Sequence, residues 1–328
     1  MGFALALAPN ALAALDELGL RQIVVSRGVG VQSFEVRRPD GSAIKRVVLR
    51  GAAMHSIVLL RSALHGTLLD TVGRESLLLD RRVTGLTMPV SAEVIIGADG
   101  VGSVVRRALH PDEAPPRASG YHALRGVSEV AGDALGATDF AVYLGDGVEI
   151  GLAKASATSI YWYVSVVDEF AGPDVSAMLE RVTRGLDDRA VAIIRAAPLA
   201  GVRRDQLFTR APLVRWGDGN VTLLGDAAHP VLPHTAQGAA LALEDAVALG
   251  LAVRHTRDPI AALRRYEDVR AARTRRAIAA GPRIASLTTT RSRGRILVRD
   301  AAIRLTPGAV VSWALNTHAR DPHRALRD

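Results

Sequence analysis

Leu223-Leu224-Gly225-Asp226-Ala227-Ala228-His229-Pro230, running on through Pro233 to Gln237-Gly238-Ala239-Ala240-Leu241-Ala242-Leu243-Glu244-Asp245-Ala246, decides how this chain reads. NVTLLGD (220–226) has the apolar run and tight exit of a buried strand. The strand delivers Asp226 into a turn of small residues, where Gly225 and Ala227 let a flat or bulky group approach the backbone. A long apolar helix is predicted over 237–254, with the positive end of its dipole facing the same place. An acid at a strand end suits a ribose or ribityl hydroxyl, and a helix start suits a group that becomes negative. The plainer alternative is a capped helix after a glycine turn.

A second strand-to-helix turn lies far upstream. Ile96-Gly97-Ala98-Asp99-Gly100-Val101-Gly102-Ser103-Val104-Val105-Arg106 ends the apolar run EVIIGAD (93–99) and opens a short helix over 101–109. Amide groups at such a start can receive a phosphate or a polar cofactor edge. Taken alone, this segment reads more readily as an ordinary loop with Asp99 as helix cap.

Around these turns the chain divides by character. NALAALDEL (10–18) has helical spacing and stops at Gly19. Residues 29–38 and 43–50 read as two strands about Pro39-Asp40-Gly41, and Ser62 as the cap of a helix over 63–72 that ends at Gly73. SLLLD (76–80) is a further short apolar run. From 120 to 167, runs rich in Val, Tyr, Trp and Ile alternate with turn residues and predict an antiparallel sheet. Helices follow at 174–184 and 187–197, then a strand near 201–209, then helix at 260–280 and looser helical pieces to 316. The fold class is therefore α/β. One domain is assembled from 1–109 and 206–280, a β-rich domain is inserted over 110–205, and a helical tail covers 281–328.

Composition narrows the function. The chain has 328 residues and no cysteine, which excludes disulfides, thiolate metal sites and cysteine nucleophiles. Hydrophobic residues at 48% and charged residues at 23% describe an ordinary globular protein. No apolar stretch reaches the ~18 residues of a membrane span, and the apolar start MGFALALAPNALAAL lacks a positive leader, so a cytoplasmic protein is expected. The net charge of +8 comes from an Arg-rich set in which only Lys45 and Lys154 are lysines. The arginines are spread along the chain, so a nucleic-acid partner is not expected. The histidines show no metal-ligand spacing and no G-x-S-x-G elbow is present, so neither a metal nor a serine nucleophile is expected.

Together the two turns resemble the FAD-dependent aromatic hydroxylases of the p-hydroxybenzoate hydroxylase fold, the group A flavoprotein monooxygenases. Asp99, Gly100, Ser103 and Arg106 match that family's Asp-Gly motif. Gly225, Asp226, Ala227, His229 and Pro230 match its Gly-Asp motif, and Pro233 to Ala240 its Pro-x-x-Gly-x-Gly segment. APNALAALDELGL (8–20) looks like the helix after the family's glycine loop, and Arg61 with Leu64 and Leu68 like its Arg-x-x-Leu segment, whose Arg contacts FAD. Arg125-Gly126 and Tyr161-Trp162-Tyr163 look like its substrate-domain sheet, and Arg265-Tyr266-Glu267 like its late helix. The resemblance implies a Rossmann-like FAD/NAD(P)-binding domain with an inserted antiparallel substrate domain and a helical C-terminus.

It also implies FAD as cofactor, NAD(P)H as transient co-substrate and O2 as oxidant, with an aromatic or olefinic small molecule oxidised through a flavin C4a-hydroperoxide. Asp226 would hold the ribityl or pyrophosphate region, Gly238 and Ala239 would set amides beside the isoalloxazine, and Asp99 would face the cofactor. A reductase or dehydrogenase on the same fold is the alternative. The family's opening strand–GxGxxG–helix does not occur in these residues: GVGVQS (28–33), GVGSVV (100–105) and GDGVEI (145–150) all lack the third glycine. Such an opening takes roughly 30 residues. Either it is encoded upstream of Met1, or the chain starts there and binds FAD weakly or not at all. RRVTGLTMPVSA (81–92) is shorter than the family's strand pair, and Ala236 stands where the family carries Gly. Tyr161, Trp162 and Tyr163 alternate on one strand and read mainly as sheet core, with substrate stacking as the lesser alternative.

Overall fold

The computed structural model describes residues 3–51, 56–86, 92–317 and 326. Residues 87–91 of the 81–92 segment, and His55, His318 and His323, lie outside the described residues. Strand β1 (Ala4–Leu7) leads into α1 (Pro9–Glu17), which begins with Pro9 in its first turn, where a missing N–H costs nothing. Helix α2 (Arg21–Ser26) follows, then β2 (Val29–Gly30), the hairpin β3 (Ser33–Arg37) and β4 (Ala43–Val48), and β5 (Ile57–Leu60). Helix α3 spans Arg61–Val72 and ends at Gly73, whose φ of 80° suits a residue without Cβ. Its N-cap is Leu60, with no side-chain cap, so Ser62 does not play the role its position predicts. SLLLD forms no strand; Leu78 and Leu79 are 71% and 75% exposed.

Strand β6 (Ile95–Gly97) and helix α4 (Val104–Leu109) precede the sheet strands β7 (Arg117–Ser128), β8 (Phe140–Leu144), β9 (Val148–Ser156) and β10 (Ser159–Val167). Helices α5 (Val175–Thr183) and α6 (Asp188–Arg195) are capped by Asp174 and Asp187. Strands β11 (Arg203–Thr209) and β12 (Val221–Leu223) come next. The chain closes with α7 (Gly238–His255), α8 (Pro259–Thr288), α9 (Arg293–Leu305) and α10 (Gly308–Thr317). No helix among the described residues is long and apolar enough to cross a membrane.

The strands form three sheets, ordered β1-β5-β2, β11-β7-β10-β9-β8-β3-β4 and β12-β6. The large sheet is antiparallel except where β3 runs parallel to β8, so the early hairpin extends the sheet built mainly from 117–167. Period-two alternation splits its faces. Ile160, Trp162, Val164 and Val166, with Ile150 and Leu152, form one core beneath α5 and α6. Trp162 donates its ring N–H to Ser128 Oγ at 3.0 Å, and a Cβ on Gly126 would fall 2.4 Å from its ring, so Gly126 makes room for it. Tyr161, Tyr163 and Ser165 take the opposite face. A second core joins α1, β1 and β5 to α7, and a third joins β12 to α8 through Leu223, Leu263 and Tyr266.

Candidate active site

The two turns meet. Strands β6 and β12 are parallel neighbours with Leu223 opposite Gly97, and Leu224 N–H donates to Gly97 O at 2.9 Å. Asp99 and Asp226 therefore leave the same carboxyl edge, the place where open α/β sheets bind ligands. The approach is tight: a Cβ on Gly97 would lie 2.7 Å from Val105 and 2.9 Å from Leu223.

In the first turn the acid is consumed locally. Asp99 Oδ1 accepts from Ser103 Oγ at 2.5 Å, and Oδ2 from the Val104 and Val105 amides at 2.6 and 3.3 Å. Ser103 Oγ in turn accepts from Arg106 N–H at 2.9 Å as the cap of α4. Burial works to raise the Asp99 pKa, but these hydrogen bonds outweigh it and hold the carboxyl below its usual value. Gly100, at φ 78°, turns the chain beside open space.

In the second turn the acid is left free. Gly225, at φ 61°, donates its N–H to Asp245 Oδ2 at 3.0 Å and packs against Ala242. Asp226 is exposed while Gly225 and Ala227 to Pro230 are buried. Protein atoms still ring it, as on the floor of an open cleft, and this crowding pushes its carboxyl up; His229 opposes the shift and Asp245 adds to it. A Cβ on Gly238 would sit 3.9 Å from Asp226 Oδ1, so the acid lies beside the start of α7. That 18-residue helix has no side-chain cap and no acid in its first turn. Its first bond to the preceding residue is made by Leu241, leaving the Gly238 and Ala239 amides available. Pro233 opens a 3-10 turn that ends at Ala236 in the left-handed region, φ 50°, a conformation that favours the glycine expected there.

Arg106 and His229 lie under the turn rather than in the cleft. Buried Arg106 donates through Nη1 to the Ala227 and Ala228 carbonyls at 3.0 and 2.9 Å, and through Nε and Nη2 to Glu113 at 2.7 and 2.5 Å. It thus ties the first turn to the second. Glu113, also bound by Arg210 at 2.8 Å, is held below its usual pKa mainly by Arg106. His229 Nε2 contacts Asp245 Oδ2, and its ring lies 5.3 Å from that of Trp216.

Asp245 belongs to a buried ionic network that supports the turn. Arg270 meets Asp245 and Glu244 at 2.7 Å each, Arg273 holds Glu244, and Asn10 bridges Glu244 and Gln237 at 2.7 and 3.0 Å. Burial acts to raise both acids, but their partners lower them, His229 first at Asp245 and Arg273 first at Glu244. Sequence reasoning passed over these residues. The signal was two adjacent acids inside the apolar run ALALEDAVAL (240–249) of a helix, where acids persist only when paired.

Arg61 opens α3, at the end of β5. Its guanidinium stands over the Phe3 ring at 5.4 Å, and Arg125 and Arg203 approach the same ring at 5.2 and 5.8 Å. Arg125 and Arg203 share Asp205. Tyr161 and Tyr163, 6.3 Å apart, continue this surface along β10. Burial, opposed by Arg125, pushes the Tyr161 hydroxyl up to about 12. A cavity of about 410 Å³ between Tyr143, Phe170 and α5 opens on the far face of the sheet and touches neither turn.

Residues 45–280 match the family described as FAD binding domain. The aurachin C monooxygenase/isomerase of Stigmatella aurantiaca is 27% identical to the chain, covering 93% of it and 84% of that protein. A 3-amino-4-hydroxybenzoate 2-monooxygenase of Streptomyces platensis is 33% identical, covering 84% and 76%. Among solved structures, Klebsiella pneumoniae HpxO complexed with FAD and uric acid superposes with a TM-score of 0.90 at 24% identity, over 97% of this chain and 88% of that one.

Proposed function

The chain belongs to the FAD binding domain family, and from that premise we propose that it is an FAD-dependent monooxygenase that uses NAD(P)H and O2 to hydroxylate or epoxidise an aromatic or olefinic small molecule. The observation that carries the reading is the shared carboxyl edge of β6 and β12, where a free acid adjoins the uncapped start of α7. The donor set fits the cofactor. Asp226 would accept hydrogen bonds from the hydroxyls of the ribityl chain, beside the pyrophosphate. Gly238 and Ala239 offer amides to the flavin edge that gains negative charge on reduction, and Gly238 leaves space where a larger side chain would intrude. Arg61, at the start of α3, would supply a cation to the cofactor. Bound there, FAD supplies the electron transfer from NAD(P)H and the activation of O2.

The chain's own part is to hold and to exclude. Asp99 and Arg106 fix the height of the second turn, and the Asp245–Arg270–Glu244 network fixes its base. The sheet face bearing Tyr161 and Tyr163 closes the substrate side. Purified protein titrated with FAD tests this. Flavin fluorescence is quenched in a saturable manner by the wild type and much less by Asp226→Ala, and the loaded protein oxidises NAD(P)H faster when an aromatic substrate is added. A protein indifferent to FAD overturns it.

A further inference from the structure

On the face of the large sheet opposite α5 and α6, β9 contributes Glu149, which is 4% exposed. One carboxylate oxygen accepts from the Tyr163 hydroxyl at 2.7 Å; the other, Oε2, is buried with no hydrogen-bond partner. Gly151 makes the contact possible, because a Cβ there would fall 2.0 Å from the Tyr163 ring. Among the described residues no Arg or Lys pairs with Glu149. Its register neighbour on β10 is Ser165, whose hydroxyl meets His234 Nε2 at 2.8 Å. His234 comes from the 3-10 turn that leads into α7 and stacks edge-on against Tyr121 at 5.3 Å. Its Nδ1 is also buried without a partner. Burial lowers the His234 pKa, against the pull of Glu149.

Two orphaned polar atoms, Glu149 Oε2 and His234 Nδ1, thus belong to the sheet and to the turn that starts the helix of the proposed flavin site. An unpaired buried carboxylate oxygen is costly, and a ligand that donates to it removes that cost. An anion beside Oε2 meets the carboxylate's repulsion, and the nearest arginine along this face, Arg125, is already paired with Asp205. We propose that Glu149, held by Tyr163 and flanked by His234, is a specificity determinant that selects an aromatic ring carrying an N–H donor, such as an amide, lactam or amine, over one carrying a carboxylate. This rests on the reading of the neighbouring cleft as a flavin hydroxylase site.

The test compares 3-hydroxybenzamide with 3-hydroxybenzoate by calorimetric titration of the full-length, FAD-titrated protein. The amide binds about tenfold or more tightly, the range of one charge-assisted hydrogen bond. Glu149→Gln, nearly isosteric and checked for an unchanged thermal melt, loses that preference, and Tyr163→Phe keeps it in the same direction. Equal or tighter binding of the benzoate, an undiminished preference in folded Glu149→Gln, or no binding of either ligand overturns the proposal. FAD quenching recorded on the same samples separates the two readings. A protein that ignores FAD yet prefers the amide sinks only the cofactor assignment, whereas one that binds FAD and prefers the benzoate sinks only this one.

Discussion

The turns at Asp99 and Asp226 share one grammar, a strand that ends in an acid before a helix, yet they put the acid to opposite uses. Asp99 accepts three hydrogen bonds from its own helix start, so its charge is spent on holding α4. Asp226 lies open beside a helix whose first amides have no side-chain cap. The difference teaches that an acid at a strand end marks a ligand site only when the following helix is left for something else to cap. The first turn is the brace and the second is the receiver, with Arg106 joining them.

The sharpest way to break this pairing is to cut the joint. Arg106→Met leaves Glu113 with Arg210 alone and strips the Ala211, Ala227 and Ala228 carbonyls of their donor, and lowers stability by roughly 3 kcal/mol, read as a shift of the denaturant midpoint. FAD affinity falls with it, because the second turn loses its tie. If the variant melts like the wild type, the brace is not a brace. Next in size, Asp226→Ala weakens FAD binding by about tenfold to a hundredfold, equivalent to ~1.5–3 kcal/mol for a charge-assisted bond, without loss of stability.

Asp99→Ala has the reverse profile: about 1 kcal/mol of stability lost with the cap and FAD affinity nearly unchanged. The two acids also differ in the sign of their pH dependence. The folded pKa of Asp99 is depressed, so its stabilising contribution is present above the unfolded value of about 3.9 and is lost as pH falls through the lower folded value. The Asp226 pKa is raised, so its ionised form strains the fold at neutral pH, and the strain is relieved as pH falls through the raised value. Thermal melts of Asp99→Asn and Asp226→Asn against pH therefore move in opposite directions from wild type at pH 7 and converge on it in acid. Smallest of all, Ala236→Gly relieves a left-handed alanine and stabilises by about 0.5–1 kcal/mol, measurable in the same melts.

The elements were legible where pattern is local. NVTLLGD announced β12 because an apolar run stops at Gly-Asp, and the strands from 120 to 167 announced themselves by alternation and turn residues. Pairing was not legible where partners are distant. Arg106 reads as one more arginine until its carbonyl partners, 121 and 122 residues away, are in place. The hairpin β3–β4 was visible as a hairpin, but nothing in 33–48 says that it joins β8 in parallel. The local role of Asp99 was legible from the Asp-Gly turn, although the cap of α4 is Ser103 and Asp99 backs it. That of Glu149 was not, because alternation on β9 gives its face but not the absence of a cation opposite it.

Helix α8 has a mechanical consequence. Its early turns are anchored to β12, where Tyr266 donates to the Leu223 carbonyl at 3.1 Å and Thr222 to Glu267 at 2.6 Å. Its late turns touch the large sheet through Ala285, packed with Ala123 and Leu207, and between them Gly281 lies 3.2 Å from Leu232 by its would-be Cβ. Thirty residues of helix make a rod of about 45 Å. One rod bolted to both layers fixes the spacing between the β12 edge and the large sheet like a calliper. Pro282, where a backbone bond is missing, is its one soft point. With the flavin at the β6–β12 edge as proposed, the setting of that calliper fixes how far it lies from a ring held on the large sheet.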